Sequence, residues 1–166
     1  MGSGVTGNYH GTYGSDTSQP YRSTYGVTPD MKDYDIRTGV YHDGHYDKNP
    51  TANNINNLIN GQYIRNKRTN GSFTYVIDEK DNLIIGKRNG NGSKGARTPH
   101  PTLVGGSNPK VKMAGMVEIR SGKIYSYDNQ SGHFKPNEKS MKIADKIFNK
   151  LPKKVFHRNF KKGDIL

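Results

Sequence analysis

The chain contains no cysteine. That absence excludes a disulfide scaffold, a thiolate metal site and a cysteine nucleophile. It also contains no apolar run approaching the roughly 18 residues of a membrane span. The start, Met1-Gly2-Ser3-Gly4, carries no basic region followed by an apolar segment, so no signal peptide is expected in this stretch. Apolar residues are scarce, at 30%. Leaving out Tyr and counting Gly raises the share only to roughly 35%, against about 45–50% in ordinary globular domains. The 166 residues therefore fit one domain with a small core, and part of the chain is expected to lie outside it. Acids are the minority charge, 14 Asp+Glu against 26 Lys+Arg, for a net charge of +12. Such a balance favours polyanionic partners: nucleic acid, an anionic membrane face or an acidic protein.

What is present is unevenly distributed. Residues 1–50 hold four basic residues and six Asp, a net of −2, which leaves +14 on residues 51–166. The first fifty also hold 7 of the 11 Tyr and 8 of the 20 Gly, and their few aliphatic residues follow no period. Chain of this kind buries too little apolar area to offset its entropy. Residues 1–50 are therefore expected to be a flexible or draped Gly/Tyr-rich linker, with order beginning near Thr51. A short helix capped by Thr51 would place Ile55, Leu58 and Ile59 on one face. Phe73–Ile77 and Leu83–Lys87 flank a turn and predict one hairpin. Val111–Ile119 and Ile124–Tyr127 flank Ser121-Gly122-Lys123 and predict another. Residues 89–100 form a loop carrying Lys94 and Arg97. A helix after Pro136, capped by Asn137, would bury Met141, Ala144, Ile147, Phe148 and Leu151. The expected fold is α+β: an antiparallel meander of two hairpins with an N-terminal and a C-terminal helix, preceded by a Gly/Tyr-rich arm.

Two polar segments interrupt this pattern. In Thr98-Pro99-His100-Pro101-Thr102-Leu103 the prolines fix the backbone around His100. In Ser131-Gly132-His133-Phe134-Lys135-Pro136 a second imidazole directly follows the last strand. Few acids lie near either segment. Two imidazoles with a cation nearby suit phosphodiester cleavage without a metal, one taking a proton from a 2′-hydroxyl and the other protonating the leaving oxygen. On this reading His100 and His133 are the acid–base pair. Thr102 and Ser131 bond the scissile phosphate or orient the imidazoles, and Arg97, Lys112 or Lys135 stabilises phosphate charge. Plainer readings stand beside it. His100 in a loop also suits a bond to backbone, Ser131-Gly132-His133 a turn with Gly132 at positive φ, and Gly105-Gly106 a turn rather than a phosphate cradle. Glu118, the only acid in the third or fourth strand, is an alternative catalytic carboxylate. His42-Asp43-Gly44-His45 offers metal ligands, but short sets of this kind are common in loops, and no metal ligands are assigned.

The stretch from Phe73 to Pro136 resembles a module at the C-termini of bacterial polymorphic toxins, including proteins with Rhs repeats. The residues that carry the resemblance are His100-Pro101-Thr102-Leu103, Gly105-Gly106, Ala114-Gly115 and Ser131-Gly132-His133-Phe134-Lys135-Pro136. Phe134 stands where that pattern frequently has Tyr. A similar block occurs in plant IQ-motif calmodulin-binding proteins. The resemblance implies a basic toxin domain over residues 51–166, delivered to a target-cell cytoplasm and held in check by an immunity protein. For a module of +14 an acidic immunity partner is expected. Two reaction classes fit the resemblance: a metal-independent ribonuclease of the barnase, EndoU and colicin kind, needing no cofactor, and an ADP-ribosyltransferase using NAD with Glu118 as its carboxylate. A non-enzymatic basic binding module is the third class.

Overall fold

A computed structural model of the chain describes residues 18–90 and 97–160. The described part is α+β, with antiparallel hairpins and two α-helices. Strand β1 (Tyr25–Gly26) precedes helix α1 (Pro29–Thr38), and β2 (Tyr41–His42) and β3 (His45–Tyr46) form a small hairpin. Short strands β4 (Asn53–Asn54), β5 (Ile59–Asn60) and β6 (Tyr63–Ile64) follow. The long strands are β7 (Gly71–Asp78), β8 (Leu83–Gly86), β9 (Lys110–Arg120) and β10 (Lys123–Tyr127), and helix α2 is Met141–Phe148. The two expected hairpins are present, but they join through β7 and β9. The main sheet therefore runs β4-β8-β7-β9, and both β10 and β1 pair with the outer edge of β9. Ser121 and Gly122, with φ of 52° and 75°, make the tight β9–β10 turn. No helix among the described residues is long and apolar enough to cross a membrane.

Two expectations need correction. Order does not begin near Thr51, because β1, α1, β2 and β3 all precede it and β1 is hydrogen-bonded to β9. Nor does Thr51 cap a helix. Asn54 caps a single 3-10 turn at Ile55–Leu58, while Thr51 accepts a hydrogen bond from the Lys87 amide at 2.9 Å. The N-terminal α-helix is α1, inside the stretch expected to be linker. Residues 1–17 of that stretch, and Lys94 in the loop, lie outside the described residues.

The sheet is covered on both faces. On one face Tyr75, Ile77, Met113, Val117 and Ile119 pack against Met141, Ala144, Ile147, Phe148 and Leu151, the stripe expected of α2. Phe148 is fully buried, stacked on Tyr127 at 4.0 Å and edge-on to Tyr75 at 5.3 Å. Asn137 caps the turn leading into this helix, as its position predicts. On the other face Val76 and Ala114 pack with Tyr25, Val111, Leu103 and Phe134. The polar segments 98–106 and 129–136 thus plug the second face through Leu103 and Phe134. Their fixed position follows from that burial.

Gly115 shapes the junction. A Cβ there would come within 3.0 Å of the Asp128 carbonyl and the Tyr75 ring. The absent side chain lets the chain leaving β10 press against β9, where the Tyr75 hydroxyl donates to the Asp128 carbonyl at 2.6 Å. The Asp128 carboxylate accepts the amides of Met116 and Gln130 at 2.8 and 2.9 Å, which aims residues 130–133 back over the sheet. Gly115→Ala is expected to destabilise by about 1–3 kcal/mol through overpacking, and Phe148→Ala by about 3–5 kcal/mol through loss of its buried ring. Urea denaturation followed by circular dichroism measures both.

Candidate active site

The two polar segments meet over a cavity of about 460 Å³ lined by Thr74, Arg88, Arg97, His100, Gln130 and His133, among others. Its floor is Thr74 of β7 and Met116 of β9, neighbours across the ladder on the second face. The four basic side chains converge from three places. Arg88 leaves the end of β8. Arg97 and His100 come from the return of the loop, and His133 from the segment after β10. Thr98 ties the ends of that loop together: its hydroxyl meets the Lys87 and Arg88 carbonyls at 2.8 Å and accepts the Gly90 amide at 2.7 Å.

His100 sits in a 3-10 turn, His100–Leu103, entered through Pro99. Its Nε2–H donates to the Gly115 carbonyl at 2.7 Å. That bond fixes the tautomer and leaves Nδ1 as an acceptor, with no hydrogen-bond partner among the described residues. Burial pushes its pKa down to about 4, against the pull of the Gly115 carbonyl, and the charges of His133 and Arg88 add to the depression. His100 is therefore neutral at pH 7. His133 has a different environment. Its Nε2 lies 2.9 and 3.1 Å from the two carboxylate oxygens of Asp35, a residue with no solvent exposure. Burial opposes ionisation of Asp35. Hydrogen bonds from His133 and Tyr46, with the charges of His133 and Arg97, outweigh it and hold the carboxyl below its usual range. Tyr46 donates its O–H to Asp35 at 2.7 Å, and burial beside that carboxylate drives the phenol pKa up, so it stays a donor. Arg97 reaches Asp35 at 3.5 Å and lies over the Tyr34 ring at 4.9 Å, half in solvent.

The structure brings His100, His133 and Arg97 to one cavity and places the other sequence candidates elsewhere. Thr102 donates its hydroxyl to the Pro99 carbonyl at 2.6 Å, and Ser131 Oγ accepts the Phe134 amide at 3.2 Å. Both hydroxyls shape the turns that carry the histidines, and neither lines the cavity. Lys112 pairs with Asp81 at 2.7 Å across the β7–β8 turn. Lys135, at φ 41°, bonds through its amide to the Ser131 carbonyl and also lies off the cavity wall. Glu118 stands on β9 two residues past Met116 and pairs with Arg120 at 2.7 Å. Gly132 lines the cavity but is not at positive φ, whereas Gly105 and Gly106 are, at 77° and 89°, in accord with a turn. His157 packs edge-on against Tyr125 of β10.

Sequence reasoning missed Asp35, Arg88 and Tyr46. A signal for the helix carrying Asp35 was present: Thr28-Pro29-Asp30 is a start and Gly39 a stop, and Gly39 adopts φ 81° at the C-cap. Its periodicity gave no help, because α1 buries a carboxylate and leaves Ile36 half exposed. The chain matches no protein-family model, no curated protein and no solved structure.

The His100 environment has a consequence for stability. Its folded pKa, about 4, lies below the unfolded value of 6.5. Between these values the unfolded chain binds the extra proton, so stability rises with pH across that window. The contribution is complete above about pH 6.5 and is lost as pH falls toward 4, a change of about 3 kcal/mol. Urea midpoints from pH 4 to 7 should show this slope, and His100→Gln should flatten it.

Proposed function

We propose that this cavity is the active site of a metal-independent endoribonuclease, and that the chain is a cytotoxic effector domain. One observation carries the reading. Two histidines 33 positions apart in sequence line one cavity with two arginines, and their surroundings suit them to opposite tasks. His100, neutral and with Nδ1 unprotonated, suits a general base. It takes the proton of an RNA 2′-hydroxyl, and the freed oxygen attacks the adjacent phosphorus. An incoming phosphate favours the protonated imidazole, so substrate raises the basicity of His100 where it is needed. His133, hydrogen-bonded through Nε2 to ionised Asp35, presents Nδ1. In its protonated form it gives that proton to the departing 5′-oxygen. The products are a 2′,3′-cyclic phosphate and a free 5′-hydroxyl. Arg88 and Arg97, both on the cavity wall, neutralise charge on the phosphorane.

The remaining expectations fit around this chemistry. The excess of positive charge favours RNA affinity that falls with salt. It equally favours rapid capture by an acidic immunity protein, which the toxin-like segment implies. Action in a target-cell cytoplasm follows from the same resemblance.

The test is incubation of the purified chain with total RNA in EDTA. Cleavage leaving 2′,3′-cyclic phosphate ends is expected, and His100→Ala and His133→Ala should each abolish it while melting like folded protein. Full cleavage by both single variants overturns the assignment. Intact RNA with the wild-type chain overturns the ribonuclease reading. Asp35→Asn keeps the shape but removes the charge behind His133, and cleavage should slow on the order of 10²-fold or more, the scale of a lost acid–base contribution.

A further inference from the structure

The β2–β3 hairpin carries a second cluster of imidazoles that the cavity does not use. Its Asp43-Gly44 turn has φ of 51° and 81°, the geometry that pairs two strands without splay. His42 and His45 are therefore directly opposite each other, with ring centroids 5.2 Å apart. Asp47 follows His45 by two positions, so it returns to the same side of the strand. Its carboxylate lies between the rings, Oδ2 at 2.8 Å from His42 Nε2 and Oδ1 at 3.0 Å from His45 Nε2. One ligand atom from each of the three residues falls within 4.8 Å of the others.

The outer ring nitrogens are also engaged. His42 Nδ1 faces the Asp43 carboxylate at 3.2 Å, and His45 Nδ1 faces the Asp43 carbonyl at 3.4 Å. Acceptors thus face both rings at both nitrogens. Each imidazole can match them by carrying a second proton, or by keeping its hydrogen on Nδ1 and giving the Nε2 lone pair to a cation. Histidine held at Nδ1 by a carboxylate or carbonyl, with Nε2 turned inward beside a further carboxylate, is the arrangement found around bound zinc.

We propose that His42, His45 and Asp47 form a surface site for a divalent cation of the zinc class. Zn²⁺ binds imidazole nitrogen and carboxylate oxygen at about 2.0–2.2 Å, so the three groups need only small shifts to hold it. The side chains are 43%, 44% and 69% exposed, which leaves a fourth position open to water. Asp43 is the outer residue that orients both rings. The bound ion would staple the hairpin on either side of Tyr46, which pairs with Gly106 and donates to Asp35. The site stands apart from the cavity and does not depend on the ribonuclease reading.

Titration of the EDTA-stripped full chain with Zn²⁺ by calorimetry tests this. One saturable equivalent is expected. His42→Ala and His45→Ala should each weaken binding at least tenfold, and Asp43→Asn, which tolerates the turn, by about tenfold. His10→Ala and His157→Ala should bind like wild type. Co²⁺ should give the strong visible absorption of a tetrahedral nitrogen–oxygen site in the wild-type chain and lose it in His45→Ala. Circular dichroism melts confirm that each hairpin variant is folded, as expected for exposed side chains. Absence of saturable binding overturns the proposal, and so does binding that folded His42→Ala and His45→Ala retain at full strength.

Discussion

The hydrogen-bonded contact between buried Asp35 and His133 is the constraint on which the rest of the site depends. A carboxylate with no solvent exposure is tolerated only if its charge is matched. Here α1 carries the carboxylate and three other parts of the chain supply its partners: Tyr46 from β3, Arg97 from the loop return and His133 from the segment after β10. Removing one partner leaves the buried charge less fully matched, which costs stability while the other two still hold it. The same contact fixes which nitrogen of His133 remains for chemistry. Stability and function therefore pull on the same four segments.

The two faces of the sheet divide the work. One is an aromatic and aliphatic core closed by α2, and the lysines of that helix lie on the side of the sheet away from the cavity. The other holds a smaller cluster in which Leu103 and Phe134 act as plugs. Each plug is a few residues from a histidine, so packing of the plug positions the imidazole. The prolines around His100, the Ser131 turn and the missing side chain at Gly115 serve the same end. They fix backbone so that His100 reaches the Gly115 carbonyl and His133 reaches Asp35.

Much of this was legible in the sequence where local pattern and tertiary environment agree. The four long strands follow from β-branched and aromatic runs, and α2 follows from its apolar stripe and the Asn137 cap. His100 and His133 stood out because proline, glycine and serine punctuate them. The N-terminal stretch was not legible, for a physical reason. Its helix buries an aspartate and exposes an isoleucine, and its strands are two residues long, so neither period marks it. Composition read it as linker because its order comes from polar contacts made over long range: Asp35 with His133, Tyr46 with Gly106, Tyr25 with Ser140. Lys112 and Glu118 were plausible by residue type, but each sits on β9 beside an opposite charge of its own.

A double-mutant cycle on Asp35 and His133 tests the central claim most directly. Unfolding free energies would be measured at pH 7 for the wild-type chain, Asp35→Asn, His133→Gln and the double variant. The account predicts non-additivity on the order of 1 kcal/mol or more, because each side chain is the other's buried partner. Additive losses, within about 0.5 kcal/mol, would show that the two do not act as a pair and would contradict the account.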